Sequence, residues 1–287
     1  MRFPGMKSGQ RQAKANRLKV NRFNNTHIIM LIIVVLALVC APYMTPYDPY
    51  VVQLGIRLLP PSMQHLLGTD DLGRDLLSRL MLGGRNTVGT SLLVLLGALS
   101  IGIPAGLLAG YAGGWLDRVY KRVTDAFLAF PDFIIAIVLS GLMGPGIFNL
   151  MIAIISVKWI TYSRIVRNSV VAEKGQEYVT IARLSGLRSY QIWWKHLLPH
   201  ALSHVIVIAS LDIGKIILMI ASLSYIGLGV QPPEPEWGAM LNEGRLYFHS
   251  SPYLMIAPGL AIMLVVLWSN MLGDRIRDIL DIKRSKE

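Results

Sequence analysis

Charge is scarce in this chain: Asp, Glu, Lys and Arg together supply 16% of 287 residues, where a soluble domain carries about 25%. A water-soluble globule is therefore disfavoured. So is a disordered chain, because 53% of the residues are hydrophobic and mean hydropathy is +0.49. Acidic residues are scarcer still, 17 against 28 Lys plus Arg, for a net charge of +11. In a soluble protein that excess would suggest nucleic acid; in an apolar chain it fits basic loops flanking a membrane. Cysteine is nearly absent. Cys40 alone cannot close an intramolecular disulfide, and inside an apolar run it reads as packing. A phosphate-binding loop is missing as well, since the glycine-spaced stretch Gly84-Arg-Asn-Thr-Val-Gly89 is followed by Thr90 and not by Lys-Ser/Thr. No His-Glu-x-x-His, paired carboxylates or Ser/His/Asp order occurs in a plausible context, so no catalytic residue is expected.

What is present is a series of apolar runs. A helix crosses the hydrocarbon core with about 20 apolar residues. Six segments qualify: His27 to Met44, Val88 to Ala112, Val123 to Gly144, Ile147 to Arg164, Ala201 to Val230 and Tyr253 to Leu272. Basic residues before the first run could suggest a signal peptide. Leu38-Val39 fits a lipoprotein cleavage site badly and more spans follow, so an uncleaved first helix is expected. The expected order is a basic tail (1–26), the first span (27–44), an outer segment with an amphipathic helix (45–87), a permease-like core (88–274) with its longest inner loop at 165–200, and a tail (275–287). Of the 28 Lys and Arg, 21 fall in the N-terminal tail, the turn around Tyr120, Arg164 to His200 and the C-terminal tail. That bias places both termini in the cytoplasm and removes the support for nucleic acid. In the second span Ala98, Gly102, Gly106 and Gly110 recur every four residues, a stripe that lets two helices approach closely in lipid.

The inner loop carries the functional argument. Tyr178, Ile181, Ala182 and Ser185 recur at i, i+3, i+4 and i+7, one face of a helix. Gly186 suits the left-handed position that ends a helix. Ser189 can cap a second helix, which Pro199 is expected to interrupt. Short helix, glycine turn and short helix result. The run Glu177-Tyr178, Ala182, Gly186, then Leu197-Leu198-Pro199, resembles the cytoplasmic signature loop of ABC importer permeases. Three further stretches resemble a narrower group, the second permease of peptide and nickel importers: Leu67-Gly-Thr-Asp-Asp-Leu-Gly-Arg-Asp-Leu-Leu-Ser-Arg79, Tyr225-Ile-Gly-Leu-Gly-Val-Gln-Pro-Pro-Glu-Pro-Glu-Trp-Gly238 and Asn270-Met-Leu-Gly-Asp-Arg-Ile-Arg-Asp-Ile-Leu-Asp281.

The resemblance implies an all-α polytopic membrane protein with the type I ABC importer permease fold. It also implies a second homologous permease subunit, two ATPase subunits that hold ATP and Mg, and an extracellular substrate-binding protein. Glu177, Tyr178, Ala182, Gly186 and Pro199 would then belong to the segment that docks on the ATPase. Asp70 with Arg74, and Asp75 with Arg79, are acid-first i, i+4 pairs expected on the outer amphipathic helix, framing the mouth where the binding protein docks or simply forming a solvated face. Leu211-Asp212-Ile-Gly214 and Lys158-Trp159 resemble nickel or metallophore permeases, with di- or oligopeptides as the alternative cargo.

Four charges fall deep inside the apolar spans, Asp132, Lys158, Asp212 and Lys215, while Asp125 stands near a membrane edge and is expected to be interfacial. Such residues face a water-filled path or each other. A secondary carrier could use Asp132, Lys158 and Asp212 as an ion relay, although no repeated halves with broken helices are visible. His196, His200 and His204 stand at i, i+4, i+8, a spacing that zinc or nickel would accept on an unbroken helix. Pro199 and the position of the first two in the loop favour interfacial roles.

Overall fold

The computed structural model describes residues 43–284, with side chains to residue 278, so the expected basic tail and nearly all of the first span lie outside the described residues. The elements are α1 (Leu76–Ala112), α2 (Gly114–Leu128), α3 (Asp132–Met143), α4 (Ile147–Lys174), α5 (Glu177–Leu184), α6 (Ser189–Tyr225), α7 (Trp237–Gly244) and α8 (Tyr253–Arg284). Four of them, α1, α4, α6 and α8, are long and apolar enough to cross a bilayer. At 1.5 Å per residue the 37 residues of α1 reach about 56 Å, well beyond a hydrocarbon core of about 30 Å. The helices therefore run past the expected span bounds at Val88, Arg164 and Ala201, because hydropathy marks only the part of a helix that meets lipid.

One expected span is broken. Val123 to Gly144 is divided between α2 and α3, which bend by 87° about Ala129-Phe130-Pro131. Proline has no amide hydrogen to donate and pushes the residue before it out of the helical region. The pair α2 and α3 counts at most as one fifth span among the described residues.

The small-residue stripe behaves as expected. It forms the seam between α1 and α4, where a side-chain carbon added at Gly102, Gly106 or Gly110 would meet the carbonyl oxygens of Trp159, Ser163 and Arg167 at 2.7, 2.2 and 2.9 Å. Around that seam a continuous core joins Val94 and Ala98 of α1, Ile154, Tyr162 and Val166 of α4, and Val205, Ile216 and Ile220 of α6. Elsewhere α1 turns Leu92, Leu93, Leu96 and Leu108 outward, and α3 turns Ile134, Val138 and Leu142 outward. In water such surface would be unstable; in lipid it costs nothing.

The outer segment differs from expectation. Among the described residues between Thr45 and Asp75 the only helical element is the 3-10 turn Leu54–Ile56, and no amphipathic helix forms. Asp75 caps α1, accepting from the Ser78 amide at 2.8 Å. It does not pair with Arg79 as the i, i+4 spacing suggested, and none of the four charges forms a solvated face. Arg74 Nε binds Asp70 at 2.6 Å, while the Arg79 and Arg74 guanidinia reach Glu243 at 2.9 and 3.2 Å. Arg79 Nε lies 3.3 Å from Asp70 Oδ2 without hydrogen-bond alignment. All four are buried, Arg79 completely. Burial pushes the Glu243 carboxyl above its ordinary value despite the two guanidinia beside it.

Next to this cluster, α7 is clamped to α1. Glu236 is fully buried and accepts from the Gly238 and Ala239 amides, both at 3.0 Å, and from the Thr87 hydroxyl at 2.9 Å. Trp237 Nε1 donates to the Leu80 carbonyl at 2.9 Å, and its ring fills the space left by Gly84, where a Cβ would approach to 2.6 Å. The glycine-spaced stretch from Gly84 is thus the docking face for Trp237. Replacing Glu236 by Ala removes a helix cap and orphans two buried amides, so a loss of about 2 kcal/mol is expected. Thermal unfolding of detergent-solubilised protein checks it, and a melting point equal to that of the parent would refute the clamp.

Candidate functional site

The opposite end of the bundle carries a hairpin, α5 and the start of α6. Its turn follows from sequence. Gly186 adopts φ +80°, its amide donates to the Arg183 carbonyl at 3.1 Å, and the Leu187 amide donates to the Ala182 carbonyl at 3.2 Å. Those two bonds satisfy carbonyls left over at the end of α5, the arrangement a left-handed glycine makes accessible. Ser189 is not the cap that was expected. Arg188 precedes the helix, its amide bonded to Gln191 Oε1 at 2.9 Å, and the Ser189 hydroxyl instead accepts from Tyr111 at 3.0 Å.

Pro199 does not interrupt the second helix either. Trp193–Leu197 widens into a π-helical turn in which the Leu198 amide reaches back five residues to the Trp193 carbonyl. The wider turn accommodates the proline ring, and α6 continues as one helix of 37 residues.

The expected face of α5 splits in two. Val179 and Ala182 are buried against the bundle, whereas Ile181 is 62% exposed and Leu184 83%. Glu177 and Ser185 are also exposed. Beyond the turn, Tyr190 and Trp194 stand out at 54% and 69%. The hairpin therefore buries one small face and offers an apolar one.

Hydrogen bonds and ring contacts attach it to the bundle. The Tyr178 hydroxyl donates to Glu173 of α4, and burial, then that hydrogen bond, push the phenol up to about 12. The Tyr178 ring lies 5.8 and 6.2 Å from those of His196 and His200. His200 Nδ1 stands 3.7 Å from Glu173, and His204 Nδ1 lies 3.0 Å from the His200 carbonyl. The three histidines are thus engaged separately, and among the described residues no three His, Cys, Asp or Glu side chains are grouped to hold a metal. Tyr111 at the end of α1 packs edge-on against Trp193 at 5.3 Å, and Lys174 Nζ binds the Tyr111 carbonyl. Asp117 of α2 receives both arms of Arg167 at 2.9 and 2.8 Å. The ends of α1 and α4 are thus tied to the hairpin, and α2 is tied to α4.

Between the two ends lie the charges of the spans, and each is paired. Lys158 Nζ of α4 is 3.4 Å from Asp132 at the start of α3, placed by the break in that span. Lys215 Nζ is 3.0 Å from Asp212, whose other oxygen accepts from the buried Tyr162 hydroxyl at 3.1 Å. An ion at mid-bilayer costs about 2.5 to 3.5 kcal/mol on insertion scales, which pairing reduces. Tyr162, Glu173, Glu236 and Glu243 were not anticipated. Their partners stand 50, 5, 149 and 164 positions away in the chain, and only the pair Glu173 and Tyr178, near a helical spacing, left any local signal.

Residues 102–286 match the family model of the binding-protein-dependent transport system inner membrane component. The chain is 38% identical to the dipeptide transport system permease protein DppC of Alkalihalophilus pseudofirmus, covering 93% of this chain and 88% of that protein. It is 40% identical to the nickel transport system permease protein NikC of Escherichia coli K12, covering 90% and 94%. It is 42% identical to the glutathione transport system permease protein GsiD of Pectobacterium atrosepticum, covering 85% and 81%. The inward-facing MetNI methionine ABC transporter, native CY5 crystal form, superposes on 71% of this chain and 97% of its own with a TM-score of 0.57 and 19% identity, a likeness of fold alone.

Proposed function

Because the chain belongs to the family of binding-protein-dependent transport system inner membrane components, we propose that it is one of two permease subunits of an ATP-driven importer, turned by ATPases that dock on the hairpin. The observation that carries this is the exposed apolar set Ile181, Leu184, Tyr190 and Trp194 on an element hydrogen-bonded to the ends of α1 and α4. An apolar patch on a turn beyond the membrane fits a protein partner. A partner that pushes there displaces the ends of α1 and α4 together with α6, because Tyr111 bonds Ser189, Tyr178 bonds Glu173 and Lys174 joins the two helix ends, while α6 continues directly from the hairpin. ATP and Mg reside on the partners, and this chain needs no cofactor of its own. Both termini and the hairpin lie in the cytoplasm on the charge bias of the sequence, and a binding protein meets the opposite end around Asp70, Arg74, Asp75 and Arg79.

For cargo we favour nickel or a metallophore-chelated divalent metal, on the resemblance around Asp212 and Lys158; di- and oligopeptides are the alternative, and relatives of both kinds are similar to this chain. Vesicles holding the permease pair, ATPases and binding protein are expected to accumulate cargo when ATP is supplied and to continue after ion gradients are dissipated. Uptake that ignores ATP and stops with the gradient would establish the carrier reading.

A further inference from the structure

We propose that Lys215 is the charge the cargo meets at mid-bilayer, and that it selects cargo bearing a carboxylate, whether a peptide or a carboxylate-chelated metal, over a bare divalent cation. The inference rests on the permease reading and narrows its substrate. Lys215 stands ten residues before Tyr225, the last residue of α6, which is about 15 Å of helix and half the thickness of the hydrocarbon core. Its side chain is 69% exposed, whereas that of Asp212 is 4% exposed and engaged on both oxygens, by Lys215 and by Tyr162. Asp212 is thus withdrawn from the surface and serves to position the ammonium. The group presented outward is the cation.

The surface around it is of mixed polarity. Lys215 shares one exposed stripe of α6 with Leu218, Ser222 and Tyr225, unlike the aliphatic outward faces of α1 and α3. A lysine on such a stripe at that depth faces a watery path. Gly214 on another side of α6 packs against Asn270 and Val266 of α8, and Asp212 faces Tyr162 of α4, so among the described residues the side bearing Lys215 is left uncovered. The other charge pair shows the reverse order: Asp132 is the half-exposed member and Lys158 the buried one, held at 3.4 Å. A carboxylate passing Lys215 gains a charge-assisted hydrogen bond, and a bare dication meets repulsion.

The test uses vesicles holding the complete complex and three probes: nickel chloride, nickel with excess citrate, and labelled Gly-Leu dipeptide. The parent is expected to take up one of the two carboxylate-bearing probes and not nickel chloride; which of them moves distinguishes a chelated metal from a peptide. Lys215→Gln should lower that uptake about tenfold, Lys215→Arg should retain most of it, and ATP hydrolysis stimulated by the binding protein should persist in both, showing that the complex assembles. The inference fails if the parent moves nickel chloride, if Lys215→Gln moves the carboxylate probe at the parental rate, or if the arginine variant loses as much as the glutamine one. Uptake by the parent that does not need ATP would overturn the permease reading first, and this inference with it.

Discussion

Leu184→Asp is expected to reduce ATP-driven uptake about 30-fold without lowering the melting point of the permease. Leu184 is 83% exposed in the isolated chain, so a charge there meets water when the chain is alone and disturbs no packing. In the assembled importer the same carboxylate would be buried against the ATPase without a partner. Anchors at the centre of an interface are worth about 2 kcal/mol or more each, which corresponds to roughly 30-fold in docking. Purified complex would be compared for uptake and for co-purification of the ATPase. Parental uptake in the variant would remove the apolar face of the hairpin from the mechanism. Val179→Asp would not serve as a substitute, since Val179 is fully buried in the bundle and its loss would mix docking with folding.

The second large effect lies in the seam between α1 and α4. Gly106→Val should cost about 3 kcal/mol, the upper end of what overpacking costs, because its Cβ would come within 2.2 Å of the Ser163 carbonyl oxygen, 2.9 Å of Val166 Cβ and 3.0 Å of the Arg167 amide nitrogen. Two of these three atoms belong to helical backbone, so relief requires α1 and α4 to separate. Gly89, in the same helix, has nothing within 4 Å of the corresponding position. Gly89→Ala should be neutral or up to about 1 kcal/mol stabilising through helix propensity. Melting of both variants in detergent checks the contrast. If Gly106→Val and Gly89→Ala melt alike, the close approach of the two backbones is refuted.

The hairpin was readable because its determinants are neighbours in the chain. Glu177 to Leu184 is periodic, and Gly186 closes the helix through bonds that span three and five residues. Which residues of that helix turn inward was not readable: periodicity marked Tyr178, Ile181, Ala182 and Ser185, yet the bundle accepted Val179 and Ala182. Pro199 was misjudged for a related reason. A proline ends an ideal α-helix, and nothing local shows that the preceding turn will widen to hold it. The charged motif at Asp70 to Arg79 was visible as a pattern but assigned the wrong geometry, because helical spacing was assumed where the chain is a turn leading into a cap.

Hydropathy, glycine spacing and the distribution of basic residues were enough to specify a membrane-embedded helical bundle, a tight seam on the second expected span and a glycine-ended hairpin, since each depends on residues within a few turns of one another. Folding alone settled that Glu236 meets Thr87, that Glu243 bridges Arg74 and Arg79, that Tyr162 reaches Asp212, and that Lys215 rather than Asp212 is presented outward. Those outcomes depend on which helices pack together and how each is rotated about its axis. Burial of groups far apart in the chain decides that rotation, and a linear pattern does not contain it.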